Sequence, residues 1–356
     1  MKHEFADKMK AVEAQQLAHE ISFGPVAFQV ARLMVKFGIM QELLDSKDGL
    51  TLEEVSKLSG LSRYAVQALL EASLTAGTVL LKDGRYSASK VGWFLLNDPL
   101  VQVDMDMTHD VIYQGLFYLE ESLKSGKPEG LKKVFGNYHT IYEALSALPP
   151  EVQRSWFNWD HYYSDQSFDE ALPLVFAGSP KRLLDMGGNT GKFALCCVAY
   201  NPDVQVTIVD LPQQLAMMKN FTAGKTGADR IFGYSANMLD ESVTLPKGFD
   251  VIWMSQFISA FSEEELTSVL RRTADAMDSN TRLYINETLW DRQRFGSAAY
   301  CLTQITLYFS CVANGNSKMY NSADLIRCIN NAGLTVETIH DGLGKAHSLL
   351  VCKKRS

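Results

Sequence analysis

The residues whose type and spacing could do chemistry gather at two points. The run Asp185-Met186-Gly187-Gly188-Asn189-Thr190-Gly191 follows the apolar stretch RLLDM and opens the helical pattern TGKFALCCVAY. Glycines there let the backbone turn sharply and approach a ligand closely. Asn189 sits where a further glycine might stand, and Asn tolerates left-handed φ better than most residues. The second point is Asp210, at the end of the run VQVTIV and 25 residues after Asp185. A carboxylate there can accept both hydroxyls of a ribose, and Leu211-Pro212 can cover a purine. Two acids at strand ends one βαβ unit apart predict a nucleoside site, at the carboxyl ends of the strands where open α/β sheets bind ligands. A nicotinamide dinucleotide calls for G-x-G-x-x-G, and Met186 occupies the first of those three glycine positions. The acid-led D-x-G-x-x-x-G run matches instead the pattern of S-adenosylmethionine (AdoMet) binding.

The elements that must position these groups follow from periodicity. Candidate strands are 182–186, 204–209, 231–235, 249–254, 282–288, 334–340 and 347–354. Helical patterns of 10–15 residues separate the early ones, which predicts parallel βαβ units. Only DGLGKA separates the last two, so a hairpin is expected at one edge of the sheet. Residues 1–100 have a different texture. One or two apolar-faced helices precede TLEEVSKLSG, where Thr51 and Glu54 form a capping box. Gly60 ends that helix, Ser62 caps the next, Gly77 ends it, and Asp83-Gly84 predicts a hairpin. Helix, turn, helix, hairpin is a winged-helix arrangement. Residues 1–110 carry 11 Lys+Arg against 15 Asp+Glu, so the basic footprint of a DNA reader is missing. The leading helices are too apolar to stand alone in water, which predicts dimerisation or docking. Between the two textures, residues 101–180 form a helical, aromatic-rich connector, expected to help line a pocket for a flat ligand. Residues 181–356 form the AdoMet-binding domain.

Composition agrees with this plan. The chain has 356 residues, 46% apolar and 21% charged, with net charge −7. These values exclude a disordered chain and disfavour broad nucleic-acid binding. The six cysteines form no CxxC and predict buried thiols in a reducing compartment. The polar N-terminus contains no signal peptide pattern, and no stretch reaches the ~18 apolar residues of a membrane span. A soluble, cytoplasmic protein is expected, with no membrane partner and no metal site.

At LLDMGGNTG, IVDLP, NMLD, FISAFSEEE and NGNSKMYNSADLIRCINNAGL the chain resembles the plant-type small-molecule O-methyltransferase family, which includes caffeate, hydroxyindole and bacterial polyketide methyltransferases. The resemblance spans nearly the whole chain. It implies a seven-stranded class I methyltransferase sheet, a winged-helix-like dimerisation domain and a homodimer. It also implies AdoMet bound without metal, and methyl transfer to an oxygen of a small aromatic or polyketide-like molecule. By position, Gly187 and Gly191 would flank the methionine part of AdoMet, with Gly188 between them, and Asp210 would hold the ribose. Asn237-Met238 would contact the adenine in place of an Asp-Met or Asp-Phe pair, and Phe261 would stack near it where the family usually has Trp. Phe157, Asn158 and Tyr162 lie where the family's substrate-contacting segment lies.

The chain departs from that pattern at the base. The family's general-base His position is Ser259, a Lys four residues earlier is Ser255, and one of two acids that steady the His falls near Met319. The other acid corresponds to Glu287. A serine hydroxyl is no base near neutral pH without a partner. Glu287, His161 and His109 are therefore the residues that could replace it. Alternatively the acceptor reacts through orientation alone. A rival reading is an AdoMet-binding regulator or interaction protein that does not methylate, and a second is a nicotinamide dehydrogenase.

Overall fold

Asp83 and Gly84 take φ of 49° and 75°, the left-handed pair that a two-residue hairpin turn requires. They join β1 (Val79–Lys82) to β2 (Arg85–Ala88), paired antiparallel. Upstream, the Thr51 hydroxyl accepts from the Glu54 N–H while the Glu54 carboxylate accepts from the Thr51 N–H, starting the helix Leu52–Ser59. Gly60, at φ 69°, ends it. Ser62 then caps the helix Arg63–Thr75. The winged-helix arrangement is therefore present. The leading segment forms three helices, Ala11–Ser22, Gly24–Lys36 and Ile39–Asp45, rather than one or two. Gly38, at φ 74°, makes the extra break.

The computed structural model describes residues 8–355 and divides into two compact units, residues 8–108 and 109–355. The second unit holds a seven-stranded sheet of β3 (Arg182–Met186), β4 (Gln205–Asp210), β5 (Ile231–Ser235), β6 (Val251–Ser255), β7 (Arg282–Glu287), β8 (Leu334–Leu343) and β9 (His347–Lys354). Their order is β5-β4-β3-β6-β7-β9-β8. The first five are parallel, and β9 runs antiparallel to both neighbours. The closing hairpin thus lies at one edge, as its short connection requires.

Alternate side chains of the central strands enter two different cores, which is why runs such as Leu183-Leu184 and Val251–Met254 show no polar alternation. Leu183, Val251 and Trp253 pack with the helices Phe168–Val175 and Lys192–Tyr200. Leu184, Met186, Ile252, Met254, Leu283 and Ile285 pack with the helices Glu263–Ala276 and Ser322–Asn331. The chain lays down β3, β4 and β5 in one direction, then returns to place β6 and β7 on the other side of β3. That reversal opens a crevice beyond the carboxyl ends of β3, β4 and β6. Residues 109–180 belong to the same unit as the sheet and contribute the helix Pro150–Ser164. The helix Gly296–Tyr308 was not legible in the sequence, because apolar residues surround most of its circumference and leave no periodic face. Among the described residues, no helix is long and apolar enough to cross a membrane.

Candidate active site

One cavity of about 190 Å³ opens at the crevice. Its floor is the loop after β3. Gly187 and Gly191 take φ of 72° and 82°, and Asn189 takes 50°, as its residue type allows. A Cβ on Gly187 would lie 2.3 Å from Cδ2 of Phe257. A Cβ on Gly188 would lie 2.7 Å from the Asp185 carboxylate. The loop is therefore as close to its surroundings as backbone permits. Asp210, at the end of β4, accepts the Asn189 N–H at 2.9 Å and the Leu211 N–H at 2.8 Å. Each of its oxygens keeps a lone pair for another donor. Burial pushes the Asp210 carboxyl up to about 6 against the pull of those two N–H groups. Asp185 is more deeply buried, and burial plus the nearby Asp210 charge push it up to about 8.

Several buried polar side-chain atoms on this wall have no partner within the protein. They are Asp185 Oδ2, Asn189 Oδ1, Thr190 Oγ1, Gln214 Oε1, Trp253 Nε1 and Gln256 Oε1. Such groups cost roughly 1–3 kcal/mol each when left unsatisfied. Gathered in one place, they fit a ligand rich in donors and acceptors, as a nucleoside with an amino-acid tail is. Asn237 uses its side-chain oxygen to accept the Leu239 N–H at 3.0 Å, which leaves its amide N–H groups to donate. Arg272 donates to the Met238 and Asp240 carbonyls at 2.6 and 2.8 Å and fixes that loop, a contribution no motif announced. Phe261 meets Phe257 edge to face at 4.9 Å.

The opposite wall is aromatic. Trp156, Trp159, Tyr142, Tyr308 and Phe309 line it, with Leu145 and Met319 between them. The Trp156 indole N–H donates to the Tyr308 hydroxyl at 2.7 Å, which fixes both rings. The helix Pro150–Ser164 also turns Asp160, His161 and Ser164 to the cavity, and Asp165 follows directly after it. The Asn189 side-chain amide donates to Asp160 at 3.2 Å, tying this helix to the glycine loop. Burial is the leading influence on Asp160 and raises its carboxyl.

The cavity thus brings together Asp185, Gly187, Gly188, Asp210, Leu211, Asn237, Met238, Ser255, Ser259, Phe261 and His161. Gly191 supports the loop from behind, at the start of the helix Lys192–Tyr200. Ser255 accepts the Asn286 side-chain amide at 3.0 Å. Phe157, Asn158 and Tyr162 do not line the cavity. Asn158 is exposed, the Phe157 ring packs on the flank of His161, and the Tyr162 hydroxyl accepts from Lys345 at 2.7 Å. His109 stands outside the lining, with Nε2 4.0 Å from Asp110. Glu287 is 1% exposed, just behind the wall, and accepts the Thr288 N–H at 3.1 Å. The sequence reading missed Tyr142, Asp160, Asp165, Lys192 and Tyr308. Of these, Asp165 was open to discovery, since it lies four residues after His161 and residues i and i+4 of a helix share a face.

Burial pushes Glu287 up to about 8, well above its unfolded value near 4.5. An acid raised on folding holds its proton more tightly in the native state. Its stabilising effect is complete below the unfolded value and is lost as pH rises through about 8. The melting temperature of the wild type is therefore expected to fall between about pH 5 and pH 9 more steeply than that of Glu287→Gln. Thermal scans across that range check this, and parallel curves would contradict the assignment.

Comparison with known proteins agrees with this geometry. The family model described as O-methyltransferase domain matches residues 117–333, and the one described as Dimerisation2-like domain matches residues 15–86. The chain is 24% identical over 321 residues to the L-tyrosine C(3)-methyltransferase of Streptomyces lavendulae, covering 89% of this chain and 86% of that protein. It is 24% identical over 329 residues to the demethylspheroidene O-methyltransferase of Cereibacter sphaeroides, covering 91% and 83%. The crystal structure of the AdoMet-dependent methyltransferase SibL superposes with a TM-score of 0.71 at 23% identity, over 95% of this chain and 98% of that one. The O-methyltransferase NcsB1, in complex with AdoMet and 2-hydroxy-5-methyl naphthoic acid, superposes with a TM-score of 0.63 at 17% identity, over 92% and 95%.

Proposed function

The chain belongs to the O-methyltransferase domain family and is an AdoMet-dependent methyltransferase, and we propose that its acceptor is a small, flat phenol. The observation that carries this reading is the single cavity that joins the glycine loop to a wall of Trp156, Trp159, Tyr142 and Tyr308. A planar ring gains apolar burial and edge or face contacts from such a wall. Bound AdoMet supplies an electrophilic methyl group on a sulfonium. This chain supplies orientation and a dry, polarised enclosure. Asp210 takes the ribose hydroxyls, the backbone at Gly187 and Gly188 passes close to the methionine part, and Asn237, Met238, Leu211 and Phe261 frame the adenine. The carboxyl groups around the cavity outnumber its lysine, Lys192. That balance favours the sulfonium.

The N-terminal unit exposes Val12, Ile21, Phe23 and Val26, each more than half accessible. Such a patch supports pairing of two copies into a homodimer. Cys196, Cys197, Cys311, Cys328 and Cys352 are in no disulfide, which supports a cytoplasmic location.

The test is a panel of phenols, anilines and aromatic acids incubated with methyl-labelled AdoMet. Label is expected in phenols, on oxygen, as located by NMR of the product. Label confined to the anilines or to the carboxyl groups of the acids would overturn the phenol reading.

A further inference from the structure

The site lacks a histidine in the loop after β6, yet it holds one on another wall. His161 lies on the helix Pro150–Ser164 and lines the same cavity as Gly187, Asn189 and Ser259. Its Nδ1 is 3.4 Å from Asp165 Oδ1, one helical turn on. The Lys192 ammonium, from the first turn of the helix after the glycine loop, sits on the other Asp165 oxygen at 2.7 Å. On the ring's flank, Phe157 stacks at 6.0 Å with an interplanar angle of 17°. The plane of the imidazole and the direction of Nδ1 are therefore both set by neighbours. Other carboxyls near the cavity are less suited. Asp160 already accepts the Asn189 amide, and Glu287 lies behind the wall.

We propose that His161 is the general base of the reaction and that Asp165 is its positioning residue. This rests on the phenol reading above. With Nδ1–H donated to Asp165, Nε2 is left as the acceptor of a ring that lines the cavity. Burial alone would raise Asp165, but the bonds from His161 and Lys192 outweigh it and hold the carboxyl below its ordinary value. It is thus an anion at neutral pH and fixes the tautomer. In the transfer step the phenolic proton passes to Nε2, and an oxygen lone pair forms the new O–CH3 bond. The S–CH3 bond breaks with its electron pair remaining on sulfur. The imidazolium that results faces the Asp165 carboxylate and returns its proton to water after product release. The arrangement does from a helix what residue 259 does not do from its loop.

Two measurements on the full-length chain test this. The first is nitrogen-15 NMR of histidine-labelled protein saturated with S-adenosylhomocysteine, with the His161 signal assigned by its loss in His161→Gln. A neutral ring protonated on Nδ1 is expected, with Nε2–H appearing in Asp165→Asn. A wild-type ring protonated on Nε2 would overturn the proposal. The second uses the best phenol of the panel. General-base catalysis contributes roughly 10²–10⁴-fold, so kcat is expected to fall at least about 100-fold in both His161→Gln and His161→Ala. S-adenosylhomocysteine affinity, read by calorimetry, should stay within threefold, which also reports folding. Asp165→Asn is expected to lower kcat less and to displace the acid limb of the pH profile, a limb that His161→Gln loses. Retention of kcat within threefold in His161→Gln would overturn the base assignment. If no phenol accepts label, the acceptor reading fails on its own, and the NMR result still decides the tautomer.

Discussion

Gly187→Ala is expected to lower S-adenosylhomocysteine affinity at least about 100-fold, a change of roughly 2.7 kcal/mol. Two effects act together. The residue holds φ at 72°, where an L side chain is strained by about 1–2 kcal/mol. The added methyl would also stand 2.3 Å from the Phe257 ring. That ring cannot yield without disturbing Phe261, which it meets at 4.9 Å and which frames the proposed adenine pocket. Either the loop flattens or the two rings move, and both outcomes reshape the cofactor wall. Calorimetric titration measures the effect. Gly178→Ala is the control, since a Cβ there meets nothing within 4 Å, and its affinity should match the wild type. An affinity for Gly187→Ala within threefold of wild type would show that the cofactor lies elsewhere.

Asp210→Ala is expected to weaken the same ligand by roughly 10²–10⁴-fold. The estimate counts two hydrogen bonds to a charged acceptor at about 1.5–3 kcal/mol each. Truncation also leaves the Asn189 and Leu211 N–H groups without the carboxylate they now share. Asn189 sits in left-handed backbone at the turn of the loop, so the glycine loop should loosen with it. Asp210→Asn keeps one acceptor oxygen and should fall between. The pH dependence carries its own sign. Burial raises this carboxyl to about 6, and only the ionised form offers acceptors on both oxygens. Wild-type affinity should therefore fall as pH drops below about 6, whereas Asp210→Asn should show a flatter profile. Calorimetry at several pH values separates the two. Equal slopes would remove Asp210 from the ribose role.

Much of the fold was legible in the sequence because local physics states it. Strand and helix periods located all seven strands of the large sheet to within two or three residues at each end. The capping box at Thr51–Glu54 formed as its residue types predict. The Asp83-Gly84 turn took the left-handed geometry its residue types favour. The helix Gly296–Tyr308 was the exception, because a helix that is apolar on most sides carries no periodic signal. It delivers Tyr308 to the aromatic wall.

The glycine-loop end of the cavity was visible for the same reason. Its groups lie in short runs at strand ends, and the parallel register that aligns Met186 with Val209 brings those runs side by side. The aromatic end was not visible in this way. It is assembled from Tyr142, Trp156, Tyr308 and Met319, which are far apart along the chain, and no sequence period relates them. The family resemblance pointed to Phe157, Asn158 and Tyr162, but the residues of this helix that line the cavity are Trp156, Trp159, Asp160, His161 and Ser164. Sequence alone therefore determined the sheet, the glycine loop, the carboxylate at the end of β4 and the absence of histidine at 259, since each depends on residues near in the chain. Tertiary structure alone decided which aromatic rings form the far wall and which histidine faces the glycine loop, because side-chain direction depends on helix phase and on packing between distant segments.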